Sequence, residues 1–245
     1  MLSDPAAIRR ANEALVALVH EQMPHKSYRQ EGIWKPLAAG LILRMAGTVE
    51  NLTRLLGSRH EDDSLVLLRA LYEHVVTFCW IAIEPEDRHL RWHHSALAWR
   101  LKLHDDAKRL GLRILSAKEE AEAREARGSM PSLPDRASEA DTFWADHIHG
   151  FLSDLAERRD ARSLRGMYTG LYRLASQAAH AQPETVDSYA KNKFRTLPRT
   201  IEVPASGSLF YIDTARPVFA YALLVNQFCF GWPSSERVWE LVRAA

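Results

Sequence analysis

Cysteine is nearly absent from this sequence: Cys79 and Cys229 are the only two. Both fall in apolar helical patterns, so a disulfide-built scaffold is excluded and a reducing compartment is expected. Neither sign of charge dominates. The 32 Lys and Arg against 31 Asp and Glu leave a formal net charge of +1, so no global field draws in nucleic acid, and such binding would need a local patch. Long apolar runs are missing too. The longest, near Val75–Ile83 and Val218–Val225, read as too short to span a bilayer, and MLSDPAAIRRANEALV holds no apolar secretory core. The expectation is therefore a cytoplasmic protein with no membrane partner. Also lacking are C-x-x-C, H-E-x-x-H, G-x-S-x-G and glycine-rich phosphate loops, and E-x-x-H occurs once, at Glu86–His89, where a di-iron bundle needs two; zinc, di-iron, hydrolase-elbow and P-loop chemistry are set aside. No cofactor is implied.

The 245 residues are 47% apolar and 26% charged, a balance suited to one folded domain. No repeat is visible at periods of 20–50 residues. Helical periodicity dominates. A helix opens at Ser3-Asp4-Pro5 and runs to about Met23, and a second runs from Pro36 to about Leu56 with Gly57 at its stop. A third, from about Glu61 to Ile83, is apolar on nearly every face and belongs in the middle of a bundle. A fourth follows Glu84-Pro85-Glu86-Asp87 to Gly111, and a charged fifth covers 116–127. Residues 128–135 read as an internal linker. Further helices are predicted over 138–158, 163–181 and 215–230, with a short last one to Arg243. The stretch 182–212 reads as an irregular insert, with a small hairpin or ordered loop near 199–212 where RTIEVPASGSLFYID alternates. The expected architecture is all-α: one domain over 1–245, a bundle of about seven or eight helices.

Charged groups inside apolar helices need an explanation, because burial penalises them unless they are paired. Arg69 and Glu73 lie four apart in the third helix, and Arg44 lies well inside the second. One account is a structural Arg69–Glu73 ion pair. The other is a polar pocket with Glu73 as general base or cation ligand and the arginines as anion clamps. His74, one residue around from Glu73, reads as satisfied structure. In TGLYRLASQAAH, Thr169, Arg173, Ser176, Gln177 and His180 share a face. Arg173 and His180 are two turns apart, about 10 Å along the axis. A solvated face explains them. So does a fixed cation holding phosphate beside a group that moves a proton, chemistry that cleaves RNA through its own 2′-hydroxyl without a metal. His89 and His93 are spaced to share a metal, and Glu86 lies one turn before them, but no Cys and no further acidic residue completes a set, so no metal is expected. The segment with Arg88, Arg91, Arg100, Lys102, Lys108, Arg109 and Arg113 is the best local candidate for phosphate contacts, interrupted by Asp105 and Asp106.

Two resemblances attach to these residues. LLRALYEHVVTFCWIAIEPEDR, with Leu41, Arg44 and Met45 before it and Tyr172, Arg173, Ser176 and His180 after it, resembles a widespread bacterial family of helical proteins known only as a domain of unknown function. The Arg173–His180 pair also resembles the HEPN superfamily of helical bundles. Many of its members are metal-independent ribonucleases of toxin–antitoxin and phage-defence systems, with an Arg–His pair at a dimer interface. Leu174 departs from the polar residue those ribonucleases place after the arginine. That resemblance implies a dimer with Arg173 and His180 as catalytic residues and RNA as substrate, and it is the reading the sequence favours; Tyr172, Ser176 and Gln177 on the same helix are candidate substrate-binding residues. The alternatives are a small-anion pocket in the bundle core, where Arg44, Arg69, Glu73, Arg173 and His180 would converge, and a non-catalytic interaction module.

Overall fold

The computed structural model describes residues 4–22, 34–58, 63–129, 207–230 and 235–243. Among them it holds seven helices and no strand: α1 (Pro5–Gln22), α2 (Trp34–Leu55), α3 (Ser64–Ile83), α4 (Pro85–Arg109), α5 (Ala117–Gly128), α6 (Gly207–Phe230) and α7 (Ser235–Arg243). The protein is an all-α bundle. The helices expected over 138–158 and 163–181 lie outside the described residues.

The apolar stripes build a main core from α1, α2, α3, α6 and α7. Ile8 and Leu15 of α1, Ile42, Met45 and Leu52 of α2, Leu71 and Phe78 of α3, and Ile212 and Phe219 of α6 are fully buried in it. Two cross-links set the register of α1 on α2. Asn12 donates from Nδ2 to Thr53 Oγ1 at 3.1 Å, and Arg9 donates to the Leu56 carbonyl at 3.3 Å. The partner number rises as the α1 number falls, so these two helices run antiparallel. Thr53 passes its own proton to the Val49 carbonyl, which keeps the buried link supplied with partners.

Helix α3 sits between α2 and α6 and packs extensively on both. By length and composition alone it could cross a membrane, which the shorter apolar runs counted in the sequence do not suggest. Its apolar character is used inside the bundle, where Leu68, Leu71, Val75, Phe78, Cys79 and Ile81 are buried. Cys79 is a buried thiol outside any disulfide.

The hairpin expected near 199–212 is corrected over its described part, because 207–212 form the opening turns of α6. Leu209, Phe210, Tyr211 and Ile212 favour strands by composition, but Leu209, Ile212, Ala215 and Phe219 recur at helical spacing. Ile212, Ala215 and Phe219 are fully buried and Leu209 packs against them, and that packing overrides the local preference. Pro217 consequently stands inside α6 rather than near its start.

Helices α4 and α5 form a hairpin with a second, small core of Leu101, Leu115 and Ala123. Gly111, at φ 74°, ends α4: its amide returns to the Lys108 carbonyl and the Leu112 amide to that of Ala107. Only glycine takes that backbone region without strain. A reciprocal cap then starts α5, with the Glu119 amide donating to Ser116 Oγ and the Ser116 amide to Glu119 Oε2. The sequence letters S-A-K-E carry that cap.

Candidate functional site

Five of the seven basic residues of the α4 segment are paired within their own hairpin, and Lys102 and Arg113 are not among them. Arg88 pairs with Glu84 and Arg91 with Asp87, one turn back in each case, and Arg109 pairs with Asp106. Arg100 approaches Glu119 and Lys108 meets Glu120 across the turn. Arg88 also donates to the Trp80 carbonyl and lies over the Trp80 ring, 5.4 Å from its centroid, which fixes the start of α4 against the end of α3. A strip that looks cationic in sequence is a mesh of local pairs in space.

The histidines of α4 take hydrogen bonds of structure. His89 is buried and its Nδ1 faces the Pro85 carbonyl. His104, fully buried, accepts the Leu115 amide on Nδ1 at 3.1 Å, so its Nε2–H is the side that donates to Glu120 at 3.1 Å. Among the described residues no three His, Cys, Asp or Glu side chains group around a common point.

The polar residues of α2 and α3 do come together. Arg69 donates from Nε to Glu73 Oε1 at 2.8 Å, one turn along α3. The pair lies at the edge of the bundle rather than enclosed by it, with the Arg69 side chain 19% and the Glu73 side chain 51% exposed. His74 is partly buried, and its Nδ1 is shielded from solvent with no hydrogen-bond partner. Burial and the charge of Arg44 hold the imidazole below its ordinary value, against the opposing pull of Glu73. Arg44 itself is exposed, and no carboxylate among the described residues pairs with it. Thr48 donates its hydroxyl to the Arg44 carbonyl. Among the described residues the facing sides of α2 and α3 thus carry a guanidinium with no carboxylate partner, a partly buried imidazole and the Arg69–Glu73 ion pair.

That meeting follows from a helical hairpin. Arg44 lies eleven residues before the end of α2 and His74 ten after the start of α3. Two antiparallel helices joined by a short loop bring equidistant residues face to face. Sequence reasoning placed Arg44, Arg69 and Glu73 in the candidate set but gave His74 only a structural role; counting outward from the loop would have found it. Trp80 turns inward, buried under Arg88. Tyr172, Arg173, Ser176, Gln177 and His180 lie outside the described residues.

Comparison with known proteins gives one match. The model of a family described as "Family of unknown function (DUF5677)" covers residues 36–195, which take in α2 to α5 and the Arg173–His180 stretch. No curated protein and no solved structure matches the chain.

Proposed function

We propose, for a chain that belongs to the DUF5677 family of unknown function, that the α2–α3 seam binds a small anionic ligand. The observation that carries this reading is the exposed Arg44 guanidinium, which pairs with no carboxylate among the described residues and whose charge is felt by His74 on the facing helix. Surface guanidinium groups usually find a local carboxylate, as those of α4 do. One left open against a half-buried imidazole is available to an incoming oxyanion. Arg69 supplies a second cation at the rim. Glu73 orients it through the 2.8 Å bond and limits the net charge of the site.

Titration calorimetry with inorganic phosphate tests this. A charge-assisted hydrogen bond contributes about 1.5–3 kcal/mol, so Arg44→Ala should weaken binding at least about tenfold with an unchanged thermal melt. Wild-type protein that takes up no phosphate, or an Arg44→Ala variant that binds it equally well, would sink the reading.

A second reading rests on the sequence of the family-matched stretch: a dimeric HEPN-like, metal-independent ribonuclease of toxin or phage-defence type. Arg173 would hold the scissile phosphate and His180 would act as general acid or base, with the two copies completing one site. The experiment is cleavage of labelled RNA in EDTA by wild type, Arg173→Ala and His180→Ala, each first shown to fold with the same oligomeric state. Loss of cleavage in both variants is the expected result, and equal activity in all three removes the reading. A non-catalytic interaction module, acting from the cytoplasm, is the remaining proposal. The large apolar side chains that α4 and its following loop leave in solvent, among them Trp99 at 66% and Leu110 at 77% exposure, favour it.

A further inference from the structure

Five of the eight large apolar side chains exposed among the described residues lie between 99 and 114. Trp99 and Leu103 stand on α4, and Leu110, Leu112 and Ile114 follow around the turn to α5. The steps of four and seven residues put Trp99, Leu103 and Leu110 on one helical face, which leads directly into the turn. In the turn only Leu115 enters the hairpin core, while Leu112 and Ile114 stay in solvent at 61% and 48% exposure. Trp92 is where α4 packs on the main core, and Leu110 lies about 27 Å further along the axis. Contiguous apolar exposure of this kind marks a contact surface.

The same stretch carries a local surplus of positive charge. From 99 to 118 there are six cations against two acids, Asp105 and Asp106, and 107–118 hold no acid at all, in a chain whose formal net charge is +1. Lys102 and Arg113 are exposed, and no carboxylate among the described residues pairs with them. The pairs of Arg109 with Asp106 and of Arg100 with Glu119 stand in solvent, where an ion pair contributes little. Cations alone would suit nucleic acid, but a polyanion gives aliphatic side chains nothing to bury against. A bilayer surface offers acyl chains and anionic headgroups together and asks for no complementary shape.

We propose that the α4–α5 turn and the adjoining face of α4 dock on an anionic lipid surface. Leu110, Leu112 and Ile114 enter the boundary between headgroups and acyl chains, and Trp99 lies at headgroup level. Lys102, Arg109 and Arg113 meet the anionic headgroups. No part of the hairpin crosses the bilayer. The expectation of no membrane partner came from the lack of a spanning run, which a surface contact does not require. The inference rests on the interaction-module reading above, names its partner, and is independent of the anion seam.

Co-sedimentation of the full chain with sucrose-loaded vesicles tests this, comparing phosphatidylcholine alone with an equal mixture of phosphatidylcholine and phosphatidylserine. Wild type should pellet with the mixed vesicles, stay in solution with phosphatidylcholine alone, and be released by added salt. Lys102→Gln and Arg113→Gln should each weaken binding about fivefold. The double variant Leu110→Gln, Leu112→Gln should weaken it at least about tenfold, with a melt like that of wild type because both side chains are exposed. Phosphatidylserine with brominated acyl chains should quench the tryptophan fluorescence of wild type more than that of Trp99→Phe. Equal partition to both vesicle types, partition to neither, or a double variant that binds like wild type overturns the lipid contact. If vesicles are ignored and the double variant lowers the mass found by sedimentation velocity, the turn joins copies of this chain: the lipid proposal falls and the interaction reading stands. If vesicle binding and mass are both indifferent to the double variant, this face drops out of the interaction reading as well.

Discussion

Glu120 holds the α4–α5 hairpin closed by accepting from three directions: Lys108 at 2.9 Å, Arg124 at 3.0 Å and the buried His104 at 3.1 Å. Lys108 first, then Arg124, keep its carboxyl well below the ordinary 4.5, at about 2. Its folded value lies below its unfolded one, so the folded state binds fewer protons through that interval. The clamp therefore contributes fully above about pH 4.5 and is lost as pH falls towards 2. Glu120→Gln should flatten the acid limb of a stability profile measured by thermal melts between those limits. His104→Ala acts differently. It strips the Leu115 amide of its acceptor and leaves a gap beside Leu101, and should cost about 1–3 kcal/mol at neutral pH, read as a lowered Tm. A variant melting with wild type would show that the buried imidazole carries none of the hairpin's stability.

At the scale of elements, the bundle divides by the cores its helices share. α2, α3 and α6 contribute to one continuous apolar cluster, whereas the distal half of α4 meets α5 over only Leu101, Leu115, Ala123 and the adjoining Leu97. Local opening free energy follows buried apolar contact. Amides of residues 117–128 should therefore exchange with solvent faster than those of 68–81, by at least an order of magnitude in hydrogen-exchange mass spectrometry. Uniform protection across both would contradict a two-core arrangement. The same division explains what could be read in advance. The helices with a clean apolar stripe or a lettered stop, α1 to α5, are written in single-sequence terms: Gly57 and Gly111 at the exits, Pro5 and Pro85 at the entrances. The first two turns of α6 are not, since their residues favour strand locally and become helical through contacts with distant chain.

For the molecule as a whole, the all-α class and the position of α3 at its centre were legible, because a helix apolar on most faces has few places to go. The site was half legible. Charged residues inside apolar helices are visible to anyone reading the string, so Arg44, Arg69 and Glu73 stood out. Their arrangement was not visible, because it depends on how two helices face each other and on which side meets solvent. The pocket expected in the core is a cluster at its edge, and the histidine that matters to it was one position away from the residue singled out. The basic strip of α4 looks more strongly charged in the string than it is in space. Charge was counted along the chain, while the acids that cancel it are supplied by the preceding turn and by the next helix.

Helix α3 finds its second wall, α6, about 120 residues later in the chain. A ribosome adding about 5–20 residues per second needs roughly 6–25 s to cover that distance. Throughout that interval α2 can shelter one side of a segment apolar enough for a bilayer, while the side that will meet Phe219 and its neighbours waits for its partner. The nascent chain thus offers chaperones and membrane-insertion machinery a sticky, hydrocarbon-like surface that the finished protein no longer shows. Its route to the native state is set as much by the order of synthesis as by the final packing.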